Sequence, residues 1–137
     1  MDTPLKPEEA LIYAMVTVSA VDRTISDAEL ARIGSIVKEL PPFQSFDSNW
    51  LLEESQQCGQ ILGKSGGMRR VLDLITASLP ERLRETAYVL AAEVAASDRR
   101  IASEEIRFLD LLAEALSLDK LTCAALERAA TARHQTV

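Results

Sequence analysis

Two pairs of carboxylates stand at matching points of this chain: Asp22 with Glu29, and Asp98 with Glu105. Each pair belongs to the pattern Ala-x-Asp-Arg-x-Ile-x-x-x-Glu. The first copy runs from Ala20 to Glu29 and the second from Ala96 to Glu105. Hard cations take oxygen ligands, so two carboxylates facing across a turn could hold a divalent cation with help from carbonyls and water. The spacing also matches the second half of an EF-hand loop. An EF-hand itself is excluded: its earlier ligand positions are Val18 and Ala20, or Val94 and Ala96, which carry no donor oxygen, and its glycine is Arg23 or Arg99.

A second reading of the same residues needs no ion. Ser26-Asp27-Ala28-Glu29 has the form of a capping box. Asp22 could bond turn amides, Ile25 and Ile101 would pack the corner inward, and Arg23 and Arg99 could pair with the carboxylates. The residues favour this structural corner over the cation site, with Asp22, Glu29, Asp98 and Glu105 kept as candidate metal ligands.

Other chemistry is sparse. His134 is the single histidine and falls in a tail, Arg133 to Val137, expected to fray. His-based catalytic dyads and multi-histidine metal sites are thereby removed. Gly63-Lys64-Ser65 has the end of a phosphate-binding loop, but Cys58 stands where its opening glycine belongs and no strand precedes it. No nucleophile elbow appears. The expectation is therefore a non-enzymatic protein with no catalytic residues and no required cofactor. Cys58 and Cys123 sit in apolar helical patterns, as two small core residues rather than a disulfide framework.

The elements that position the corners are helical throughout. The chain has 137 residues, 47% hydrophobic and 26% charged. That length suits one domain over residues 1–137, and the abundant Ala, Leu, Glu and Arg favour helix. Seven helices are expected, at about Pro7–Val21, Asp27–Leu40, Asn49–Leu62, Met68–Ser78, Glu81–Ser97, Ser103–Leu116 and Asp119–Ala132. The first and fifth are apolar on nearly every side and small enough in places to cross closely at the centre. The repeat units span about 8–40 and 81–116, as two helical hairpins packed around those central apolar helices. Core candidates include Leu51, Leu52, Cys58, Ile61 and Leu62 in the third helix. In the sixth they are Ile106, Leu109, Leu112 and Leu116, and in the seventh Leu121, Ala124, Ala125 and Leu126. Trp50, with Phe43 and Phe46, is expected to fold onto the core.

Net charge is −6, which opposes binding to nucleic-acid phosphates and suits basic partners. The N-terminus has no signal-peptide pattern, and the apolar run Ala10–Val21 is too short to span a bilayer. A cytoplasmic protein without membrane insertion is expected, acting through protein partners, with a homodimer left open.

At the two corners, Val18–Glu29 and Val94–Glu105, the chain resembles the tellurite-resistance protein B (TerB-like) family. That family has a similar repeated Ala-Ala-Asp-Gly-x-Ile-x-x-x-Glu in a helical domain of this size. The resemblance implies a compact all-α fold of about seven helices in bacterial cytoplasm. It also implies association with tellurite and general stress response, acidic sites suspected of holding divalent cations, and membrane-associated partner complexes. Arg23 and Arg99 replace the family's glycine, so neither turn requires a glycine-only backbone.

Overall fold

A computed structural model of the protein describes residues 5–20, 25–38, 40–43, 47–97 and 103–137. Asp22, Arg23, Phe46, Asp98, Arg99 and Ile101 lie outside the described residues. Among the described residues the fold has seven α-helices: α1 Pro7–Ala20, α2 Asp27–Val37, α3 Ser48–Leu62, α4 Gly67–Ser78, α5 Arg84–Ser97, α6 Ser103–Ala115 and α7 Lys120–Arg133. Among the described residues there is no strand.

α1 is the central helix because it has no polar face to turn outward. Every residue from Ala10 to Ser19 is buried, as a helix that is apolar all round must be. Its most extensive partner is α5. α5 contributes Ala87, Tyr88, Leu90, Ala91 and Val94 to the same core. The alanines let the two backbones approach, as their small side chains predict. α3 then packs on α1 and α7 on α5, while α6 touches both central helices and α4 bridges α1, α3 and α6.

Local chemistry sets the helix limits. Ser26 and Glu29 close a full capping box at the start of α2. The Asp47 side chain accepts from the Asn49 amide at 3.0 Å, and Asp119 from the Thr122 amide at 2.7 Å. These caps satisfy amides that have no partner inside the helix. α2 ends at Val37, before the expected Leu40, and Pro41–Phe43 forms a 3-10 turn. Glu81–Leu83 is likewise a 3-10 turn, so α5 starts at Arg84. The Arg84 guanidinium donates to the Leu116 carbonyl at 3.1 Å, tying the start of α5 to the end of α6.

The break between α3 and α4 has two glycines with different duties. Gly66 holds a left-handed φ of 74°. Gly67 lies against the end of α3, where a Cβ would fall 2.1 Å from the Ile61 carbonyl oxygen.

Five core expectations need correction, each for a reason of facing. α7 meets α5 through Cys123 and Ala130, both buried, with Leu126 half buried. Leu121 lies off that stripe and is 83% exposed, and Ala124 and Ala125 face solvent. In α6 the aromatic Phe108 is buried instead of Ile106, which is 51% exposed. In α3, Leu52 is 44% exposed because it lies off the buried stripe of Leu51 and Cys58. The tail does not simply fray: the Arg133 Nε donates to the Glu93 carboxylate of α5, and His134 Nε2 lies 3.4 Å from the same oxygen. Phe43 is buried and Trp50 packs against the core, as expected.

Candidate functional site

The first repeated corner joins α1 to α2. Its described chemistry is the capping box: the Ser26 amide donates to Glu29 Oε1 at 3.1 Å, and the Glu29 amide donates to Ser26 Oγ at 3.1 Å. One oxygen of the candidate ligand Glu29 thus serves the start of its own helix. Glu105 occupies the first turn of α6, half buried. Their partner carboxylates Asp22 and Asp98 fall outside the described residues, so neither pair is placed together. Among the described residues no group of three His, Cys, Asp or Glu is arranged to hold a metal ion.

Beside the first corner lies a groove of about 960 Å³, walled by the end of α1, the start of α2 and one face of α3. Val16 and Ala20 come from α1, Leu30 from α2 and Leu52 from α3. The second corner has its own recess of about 190 Å³, between α5, α6 and α7. The repeat register runs through both: Val16 answers Ala92, Ala20 answers Ala96, and Leu30 answers Ile106. The duplicated unit therefore makes a duplicated recess. α7 brings Glu127 and Thr131 to the second one, whereas α3 offers Ser55, Gly59 and Gly63 to the first. Small side chains leave the first one open.

The opposite face of α3 holds a buried polar cluster that sequence reasoning missed. Glu54 is 3% exposed. Burial, then a hydrogen bond and charge from Glu9 on α1, then Glu53, push its carboxyl up to about 8, against a lowering by Lys6. A carboxyl raised that far keeps its proton at neutral pH, which lowers the cost of burying it; its Oε2 has no hydrogen-bond partner among the described residues. One turn further on, the Cys58 thiol lies 3.5 Å from the Thr17 hydroxyl and points toward the Tyr13 carbonyl. Burial pushes that thiol up to about 12, opposed by the Thr17 hydroxyl and reinforced by Glu54. Tyr13 is raised too, first by burial and then by Cys58 and Glu54. The signal available in the sequence was an acid, Glu54, one helical turn from Leu51 and from Cys58 on an apolar stripe.

The α5–α7 contact has a parallel arrangement. The Tyr88 hydroxyl donates to Glu127 Oε2 at 2.8 Å. Burial, then this carboxylate, raises the phenol above its ordinary range. Cys123 beside it is raised by burial, with Tyr88 opposing and Glu127, Asp119 and Asp110 adding. Each central helix thus meets its outer helix through a tyrosine, a cysteine and a glutamate. These groups join helices; none lines the large groove.

No curated protein and no solved structure matches the chain. A family model described as "Tellurite resistance protein TerB" matches residues 8–133, spanning all seven helices and both corners. On that match, and with the all-helical fold and its duplicated corner, the chain belongs to the TerB family.

Proposed function

We propose that this protein is a TerB-like helical module of the tellurite-resistance and stress response that acts through protein contacts and catalyses no reaction. The observation that carries this reading is the 960 Å³ groove at the first corner. Its walls are mostly apolar or amide side chains. Asp27 is the charged residue among its described lining, and a single carboxylate offers no acid–base or nucleophile pair for catalysis. Leu52, 44% exposed on its edge, leaves apolar surface at the groove that a partner could cover. No described helix is long and apolar enough to cross a membrane. We place the protein in the cytoplasm, where it would meet partners as a water-facing module.

The acidic corners are given a structural role in this reading, supported by the capping box of Glu29. A divalent cation at Asp22, Glu29, Asp98 and Glu105 is the competing role.

The test is affinity capture from native lysate with the wild-type chain and with Leu52→Asp. A specific partner retained by the first and lost by the second, at unchanged helicity, supports the reading. An identical set of bound proteins contradicts it.

A further inference from the structure

We infer that the groove between α1, α2 and α3 receives an amphipathic helix of a partner protein, with an apolar stripe and basic flanks. This rests on the protein-contact reading and goes beyond it by stating what the partner presents.

The shape argues for a helix. The α3 wall is one continuous face, with Leu52, Ser55, Gln56, Gly59, Gln60 and Gly63 all on the groove. At 1.5 Å per residue that wall is about 16 Å long, or three helical turns. A partner helix reading it would place apolar anchors at every third and fourth residue, against Val16, Leu30 and Leu52.

Gly59 gives a second, independent indication. A glycine inside a helix destabilises it relative to alanine. Packing among the described residues does not account for the glycine, because a Cβ there would meet nothing within 4 Å. Open space over a mid-helix glycine suits the close approach of another backbone, and Ser55 and Gly63 continue the low wall one turn to either side.

Charge selects the flanks. Asp27 is the charged residue among the described lining residues, and the whole chain carries −6. A basic partner gains from this field and an acidic one is repelled. The twin recess at the second corner, about 190 Å³, is too small for a helix and serves as an internal control.

The experiment uses synthetic peptides on the intact chain. One is a Leu/Lys peptide of about 14 residues, four helical turns, with leucines on one stripe. The others are its Leu/Glu counterpart and a scrambled Leu/Lys peptide of equal charge. Binding is read by fluorescence anisotropy and mapped by amide chemical shifts.

The striped Leu/Lys peptide should bind at least about tenfold tighter than either control, with shifts at Leu30, Leu52, Gly59 and Gly63. Gly59→Leu should weaken it by about tenfold or more without lowering Tm, since the added side chain enters open space. Ile106→Asp, in the twin recess, should leave binding unchanged. Equal binding of the Leu/Glu or scrambled peptide, shifts elsewhere, or indifference to Gly59→Leu would overturn the inference. A dimer of this chain that Gly59→Leu dissociates would also overturn it, by assigning the groove to a second copy. Loss of a captured partner on Leu52→Asp, without charge preference among the peptides, sinks this inference alone and leaves the protein-contact reading standing.

Discussion

The buried carboxyl of Glu54 on α3 is held up to about 8 by burial and by Glu9 of α1, and its Oε2 has no hydrogen-bond partner among the described residues. Its proton belongs to the folded state. In the unfolded chain the carboxyl releases that proton near its ordinary value of 4.5, and in the fold near 8. The folded form therefore binds more protons between those values, and stability falls as pH rises through that window. Glu54→Gln imitates the protonated form. Denaturant titrations at pH 5, 7 and 9 should show the wild type losing stability across the series and the variant losing less. By pH 9 the variant should be more stable by about 2 kcal/mol. Parallel pH profiles would refute the assignment.

The end of α7 is anchored by Glu93, 7% exposed on α5. Arg133 closes on it, and that contact raises the guanidinium further above its usual range. Arg133→Ala removes the main counter-charge of a largely buried carboxylate. Hydrogen exchange should accelerate in the last turn of α7 and stay unchanged in α1. Equal exchange in both proteins would mean that the contact adds nothing.

Gly66 and Gly67 are adjacent but not equivalent. Gly66→Ala meets a left-handed backbone and should cost about 1 kcal/mol. Gly67→Ala drives a methyl group into the Ile61 carbonyl. It should cost more, about 2–3 kcal/mol, because backbone must move. Urea unfolding of both variants checks the order, and a reversed order would contradict it.

If the corners are structural, calcium, magnesium, manganese and zinc should give the same calorimetric heats with the native chain and with Asp22→Asn/Asp98→Asn. Heats lost only in the double variant would restore the cation reading, with Glu29 released from its cap to take part.

The helices were readable where local rules act without competition. The apolar run of α1, the box at Ser26 and Glu29, and the glycine break before α4 are local signals, and the fold follows them. Facing was harder to read. Ile106 and Leu121 have core-type side chains, but which stripe of a helix is buried depends on its neighbour, and α5 meets α7 through the smaller Cys123 and Ala130. Glu54 was misleading for the opposite reason. Charge suggests surface, and only a protonated carboxyl makes it compatible with the core. The groove was invisible in the sequence, because it depends on how far apart three helices stand. The repeat that marks it was legible from the first.

The two thiols carry a consequence for the protein's surroundings. Cys58 and Cys123 are free and buried, and burial raises both thiols above their ordinary range. The thiolate is the species that attacks disulfides and reacts first with oxidants. Burial therefore disfavours the reactive form of the sulfur at both helix pairs. The sulfur sits inside the joints of the fold, so oxidising it is coupled to loosening α1 from α3 or α5 from α7.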